Sequence, residues 1–134
     1  MPNQPLRQTV SFFGTVGAGL NKTLVSQHIQ VPFKTKNIRA SFAPGVDRLM
    51  TLKYFISNDP SAPTTAQPEG TNTLGQIGQV PYITGDDEFK NLEHETMSAV
   101  GSGYLKVYAE NADVFDHTID TQVTIEYEPI NDNA

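Results

Sequence analysis

The chain has 134 residues, a formal net charge of −6 at pH 7 and a hydrophobic content of 37%. This length is typical of a single domain with one core. Because the chain has no cysteine, disulfide bonds and thiolate metal sites are excluded. No apolar run approaches the roughly 20 residues that cross a bilayer, and the first residues lack the pattern of a secretory signal. We therefore expect a soluble protein without a membrane partner, although its compartment is not indicated.

The basic residues are scattered along an acidic chain, and only Lys34, Lys36 and Arg39 form a cluster. Binding to nucleic acid requires a concentrated basic face, because neutralisation of phosphates supplies most of the affinity. We therefore expect no nucleic-acid partner.

Alternation of apolar and polar residues predicts seven or eight β-strands. The clearer strands, in chain order, are Leu6–Phe13, Thr23–Phe33, Asn37–Ala43, Arg48–Ser57, Val80–Thr84, Gly103–Glu110 and His117–Glu128. The last is the most regular, because its apolar and polar residues alternate without a break. Strands without intervening helices predict an all-β fold, and we expect an antiparallel β-sandwich of the jelly-roll kind.

Two stretches lie outside this pattern. Residues 58–79 are rich in Pro, Gly, Ser and Thr, and so long a connection is usually functional or mobile. We interpret it as a surface loop of a single domain that covers residues 1–134, because the segment from residue 80 onward is too short to build a second core. Residues 129–134 are predicted to be a polar tail.

Residues 86–100 fit two structures. Helical spacing relates five of their side chains, namely Phe89, Leu92, Thr96, Met97 and Val100. Every second residue from Leu92 to Ser98 also alternates with a charged or polar neighbour. We favour a strand, because the neighbouring long segments are strands.

Motifs that would indicate chemistry are weak. The glycine-rich run Gly14–Thr23 lacks the spacing and the adjoining helix of a phosphate-binding loop, so a bend between strands is favoured. Acidic stretches at Asp86–Glu88 and Asp113–Asp120 carry the oxygen ligands that Ca²⁺ prefers, but not the EF-hand spacing, so calcium binding stays open. The three histidines show no zinc spacing. We assign no catalytic residue, no metal ligand and no cofactor.

The predicted polar faces of two strands carry aromatic rings, at Phe55, Tyr104 and Tyr108. Tyrosine is enriched at the buried centres of protein interfaces, so these rings could anchor a neighbouring subunit; alternatively, the 58–79 loop folds over them. Together with Asn111 and Asp113, the same rings could contact a sugar.

Two functions therefore remain, and neither involves catalysis. The favoured one is a structural or assembly protein that associates with itself or with other subunits, for example a jelly-roll capsid or decoration component of a virion. The alternative is a carbohydrate-binding module, or a β-sandwich that binds another ligand, with Tyr104, Tyr108, Asn111, Asp113 and Phe55 as the candidate binding residues.

Overall fold

The computed structural model of the protein describes residues 6–64, 66–76, 82–97 and 103–127. Within these ranges the chain forms nine strands and one helical turn. In chain order they are β1 (Leu6–Val16), β2 (Asn21–Val25), β3 (Phe33–Phe42), β4 (Met50–Ser57), β5 (Thr71–Asn72), α1 (Thr73–Gln76), β6 (Ile83–Thr84), β7 (Glu88–Met97), β8 (Tyr104–Asn111) and β9 (His117–Tyr127).

The strands make two antiparallel sheets. Sheet A has the order β1-β9-β3-β7, and sheet B has the order β2-β8-β4-β5, with β6 also paired to β4. The pairing is nested: β1 pairs with β9, β2 with β8, β3 with β7, and β4 with the two short strands. A long hairpin that is wound into two facing sheets gives this order, which is the jelly roll. The all-β sandwich prediction is confirmed.

The core lies between the sheets and is built by the alternating faces that the sequence predicts. Ile119, Val123 and Ile125 of β9 are buried, as are Leu52 and Ile56 of β4. The remaining core residues are Phe12, Val16, Phe33, Ile38, Ala40, Phe42, Val46, Met50, Tyr54, Leu74, Ile83, Leu105, Val107 and Ala109. Burying these apolar faces supplies the main stabilisation of the sandwich.

One buried hydrogen bond joins the two sheets across this core. The Tyr54 hydroxyl lies 2.6 Å from Thr121 Oγ1, and Thr121 in turn donates to the carbonyl of Arg39. Since Thr121 has one proton to give, Tyr54 is the donor to Thr121. Burial raises the pKa of Tyr54, so the phenol keeps its proton.

Several strand limits differ from the predicted ones. β1 continues through Gly14 to Val16, because the glycine is paired with Ile119 of β9. The second predicted strand is wrong beyond Val25: residues 26–32 hold a single bridge, from Ile29 to Gly103.

β4 begins at Met50, because Arg48 has a φ of 60°, outside the extended region. Of the predicted strand 80–84, the structure describes a strand at Ile83–Thr84.

Residues 86–100 illustrate how the neighbouring strand decides an ambiguous pattern. Glu88–Met97 is a strand paired with β3, so the strand interpretation is confirmed for this part. Residues 98–100 lie outside the described residues. So does the predicted polar tail at 129–134.

Among the described residues, no helix is long and apolar enough to cross a membrane.

Candidate functional site

Three connections meet at one end of the sandwich: the β1–β2 turn at 17–20, the β3–β4 connection at 43–49 and the β8–β9 loop at 112–116. Backbone hydrogen bonds tie them together. The amide of Asn111 donates to the Leu20 carbonyl at 3.0 Å, and that of Ala112 donates to the Leu49 carbonyl at 2.8 Å. Gly19 donates to the Asp113 carbonyl at 3.0 Å. We call these three connections the loop platform.

Asn111, one of the sequence-predicted binding residues, is the centre of this platform. Its side chain is buried, and its Nδ2 donates to the carbonyls of Val16, Gly17 and Phe115 at 3.3, 3.2 and 2.8 Å. Its Oδ1 accepts from the amide of Asp113 at 2.9 Å. One side chain therefore fixes the end of β1 relative to the β8–β9 loop, and its own polar atoms are used internally.

Asp113, a second predicted binding residue, is engaged in the same way. Its Oδ2 lies 2.8 Å from His117 Nε2, and its Oδ1 accepts from the Val114 amide at 2.7 Å. The bond from His117, followed by that from Val114, lowers the pKa of Asp113, so the carboxylate is charged at neutral pH. Asp116 accepts from the amide of Ala18 at 2.9 Å and closes the loop onto the β1–β2 turn.

The platform presents large apolar side chains to solvent. Val114 is 79% exposed and Phe115 67% exposed, at the tip of the β8–β9 loop. Leu20 is 62% exposed on the β1–β2 turn, and Leu49 is 40% exposed before β4. We call these four residues the apolar tip. Apolar groups that a rigid hydrogen-bonded support holds in water are typical of a protein-binding surface.

The aromatic rings that the sequence placed on a wet face lie elsewhere. Phe55 and Tyr108 are 5% and 2% exposed, so the prediction of a solvated face is wrong at these positions. Tyr104 is half-buried, and its ring centroid lies 5.0 Å from that of His28 in a tilted arrangement. The structure therefore separates the five predicted residues: Asn111 and Asp113 lie in the loop platform, whereas the three rings lie on the outer face of sheet B. Their predicted binding role remains a prediction.

The outer face of sheet B is covered by the chain itself. Residues 58–64 form a strap across it, as in the alternative that the 58–79 loop folds over the rings. Lys106 of β8 has a fully buried side chain and donates to Asp59 Oδ1 at 3.0 Å and to Ser61 Oγ at 3.3 Å. Thr23 of β2 donates to the Pro63 carbonyl. These bonds explain why polar positions of β8 and β2 are buried.

Asp59 organises the strap by its contacts with Ser61. Hydrogen bonds from the Ser61 hydroxyl and amide, and then the bond from Lys106, lower the pKa of Asp59 from 3.8 to about 2. The carboxylate is therefore charged at neutral pH and balances the buried ammonium group of Lys106. Sequence alternation could not find this pair, because it places Lys106 on a solvated face.

The carboxylates of Asp86 and Glu88 are occupied by donors of the chain. Asp86 Oδ1 accepts from the amides of Gly45 and Asp47, both at 3.0 Å, and so fixes the β3–β4 turn. Glu88 accepts from the Asp86 amide at 3.1 Å and pairs with Arg48 at 3.5 Å. Among the described residues, His, Asp and Glu side chains do not form a group of three or more that could hold a metal ion.

The apolar tip is the feature that the sequence predictions missed. A signal was present, because Val114 and Phe115 are apolar residues between two aspartates in a segment predicted to be a loop. A loop has no strand face on which such large apolar side chains could be buried against the core.

Comparison with known proteins shows similarity of fold. No protein-family model matches the chain, and no curated protein sequence matches it. The VP2 subviral particle of infectious bursal disease virus matches over 95% of this chain and 34% of that chain, with a TM-score of 0.52 and 8% identity. The Gx strain of the same virus matches over 98% and 34%, with a TM-score of 0.54 and 6% identity.

This chain thus spans about a third of the length of the viral proteins that it matches. A Bacillus protein from endospore appendages, described as disulfide-linked pili, matches over 96% of this chain and 91% of its own, with a TM-score of 0.49 and 10% identity. At these identities the viral matches establish a shared β-sandwich fold.

Proposed function

We propose that this chain is a non-enzymatic structural subunit that assembles with further copies of itself, and that the apolar tip is a contact surface of the assembly. The observation that carries the proposal is the exposure of Val114 and Phe115 on a loop whose backbone is fixed by Asn111 and Asp113. A subunit interface would remove these side chains from water.

The energetics support such a contact. Full burial of a Val or Phe side chain contributes about 1.5–3 kcal/mol. Because Asn111 and the Asp113–His117 pair already hold the loop, binding would order few additional residues, which reduces the entropic cost of association. The apolar tip is therefore a better contact surface than a flexible loop of the same composition.

The fold gives general support. Viral particle proteins use the same sandwich, and a virion role as a capsid or decoration component is the more specific form of the proposal. Because a fold alone does not determine function, that step depends on the apolar tip. The carbohydrate-binding alternative stays a prediction, since Phe55 and Tyr108 are buried and so are not placed for stacking on a sugar.

The experiment is sedimentation velocity of the wild type and of the variant Phe115→Asp over a concentration series. Phe115 is largely exposed, so a charge there leaves the core unchanged while opposing burial of the apolar tip. We expect the wild type to form larger species with concentration and Phe115→Asp to remain smaller. Gln67→Asp, an exposed position between β4 and β5, is the matched control and should assemble like the wild type. Equal assembly of wild type and Phe115→Asp would contradict the proposal.

A further inference from the structure

We propose that two copies of this chain pair through the outer edges of their β1 strands, so that sheet A continues from one copy into the other about a two-fold axis. This inference rests on the proposed function only in taking a second copy of the chain as the partner. It concerns the side of the sandwich and not the apolar tip, so the two surfaces can be tested separately.

The two edges of sheet A are protected very differently. β7, at one edge, carries Glu88, Lys90, Glu93 and Glu95 within ten residues. β1, at the other edge, has eleven residues and one formal charge, at Arg7. Natural sheets keep edges from pairing by charges, prolines, bulges or short strands. Apart from the charge of Arg7, β1 has none of these, since it is long, lacks proline and pairs with β9 without a register shift.

The backbone groups at this edge are available. Lys22 Nζ donates to the Thr15 carbonyl at 3.2 Å, which fits an orientation in which the backbone groups of Thr15 point away from β9. Because backbone direction alternates along an antiparallel strand, the N–H and C=O groups of Arg7, Thr9, Ser11 and Phe13 point the same way. In the part of the chain that the structure describes, these outward groups have no backbone partner.

A groove adjoins this edge. The groove, of about 500 Å³, separates residues 8–11 of β1 from residues 26–31. The lining is polar but uncharged at Gln8, Ser11 and Gln30, and apolar at Val10 and Ile29. A second strand that lies about 4.8 Å from β1 would enter this groove and satisfy the outward groups.

One register of the pair uses all the free positions. Val10 faces Val10 of the second copy, Thr9 faces Ser11, and Arg7 faces Phe13. Thr15, whose carbonyl is already bonded to Lys22, stays outside the pairing. The ring of Phe13 is 74% exposed, and the side chain of Arg7 is 63% exposed. A guanidinium group over an aromatic ring is a favourable contact, so the pairing covers both.

The same register brings Leu6 opposite Gly14 of the second copy. Leu6 is 46% exposed, and Gly14 has no side chain to oppose it. The two methyl groups of Leu24 lie 3.6 Å from the position of a Gly14 Cβ and give Leu6 an apolar neighbour. A symmetric contact of this kind closes on itself and gives a dimer, not an open chain.

The decisive variant is Thr9→Pro. Proline removes an amide hydrogen that points away from β9, so the hydrogen bonds between β1 and β9 are kept. The dimer, in contrast, loses one hydrogen bond between the two copies, and the proline ring obstructs the approach of the second strand. The matched control is Asn91→Pro on β7, whose amide points away from β3 by the same alternation. Thr9→Lys, which adds a charge to the edge, replaces Thr9→Pro if circular dichroism shows the proline variant to be unfolded.

We expect wild type and Asn91→Pro to dimerise in sedimentation equilibrium, and Thr9→Pro or Thr9→Lys to dimerise more than about tenfold more weakly. Amide exchange adds a positional readout: the amides of Thr9 and Ser11 should become protected as concentration rises, whereas that of Val10 is protected throughout. Rapid exchange of Thr9 and Ser11 at every concentration, or a dimer that the Thr9 variants leave intact, would overturn the inference. If Phe115→Asp abolishes assembly and the Thr9 variants keep it, the β1 pairing is overturned and the proposed function stands. If the Thr9 variants abolish assembly and Phe115→Asp keeps it, the β1 pairing is supported and the role of the apolar tip is contradicted.

Discussion

Replacing Asn111 by alanine should destabilise the whole fold and disorganise the loop platform. The side chain is 2% exposed and makes four hydrogen bonds, three from Nδ2 to carbonyls and one to Oδ1. An amide nitrogen has two hydrogens, so the three donated bonds count as two, and three effective bonds are lost in all. At about 1 kcal/mol each, the loss is about 3 kcal/mol, and water that reaches the freed loop carbonyls lowers it to about 2–3 kcal/mol.

The assay is urea unfolding followed by circular dichroism, with thermal unfolding as a second measurement. For a chain of this size the predicted loss lowers Tm by about 6–12 °C. Asn111→Asp should cost at least as much, because a carboxylate oxygen would face the carbonyls that Nδ2 now contacts. Asn91→Ala, at an exposed asparagine of β7, should change stability by less than about 0.5 kcal/mol. A loss of less than about 1 kcal/mol for Asn111→Ala would refute the assignment of Asn111 as the centre of the platform.

Three further predictions concern the strap, the connection before β5 and the charge of the chain. The amide resonance of Ser61, which donates to Asp59 at 2.8 Å, should titrate with a pKa of about 2 and not near 3.8. Because the folded pKa is lowered, the Asp59 contribution to stability is present above pH 4 or so and is lost as the pH falls towards 2; Asp59→Asn should remove the titration. Gly70→Ala should destabilise the protein by about 1–3 kcal/mol in urea unfolding, since φ is 137° and a Cβ would lie 2.5 Å from the Ile56 carbonyl oxygen; unchanged stability would show that the connection can shift. Self-association should strengthen between low salt and about 0.15 M salt in light scattering, because the net charge of −6 repels copies at low ionic strength; weakening with salt would indicate ion pairing as the main contact.

The sandwich could be predicted from the sequence where one face of a strand is dry and the other wet. β9 meets this condition: Ile119, Val123 and Ile125 are buried, and Asp120 lies in solvent. The prediction fails where a second layer covers the wet face. Lys106 has a charged side chain, yet the strap buries it. The alternating pattern of β8 does not reveal this burial.

The ends of the strands were also predicted inaccurately, because local composition competes with cross-strand pairing. Gly14 suggested a break, yet its pairing with Ile119 of β9 carries the strand onward. Residues 26–32 continue an alternating pattern, but only the Ile29–Gly103 bridge forms there. Cross-strand partners distant in sequence decide both cases, and a single sequence does not show them.

The sequence predicted two residues of the candidate site, but neither their roles nor the apolar residues of its tip. Asn111 and Asp113 were selected as polar contacts near aromatic rings. Their side chains instead bond to the backbone of neighbouring loops, and they support Val114 and Phe115. Only the folded structure shows which polar atoms are hydrogen-bonded within the protein and which apolar groups remain exposed to water.

The central claim, that the apolar tip is buried when copies assemble, can be measured directly because the chain has no cysteine. Val114→Cys provides a single thiol for an environment-sensitive fluorophore at a position that is 79% exposed. Titration with unlabelled wild-type protein should shift the emission to the blue as the fluorophore becomes buried, while the same label at Gln67→Cys should not shift. Emission at position 114 that stays unchanged, while light scattering shows assembly, would contradict the account.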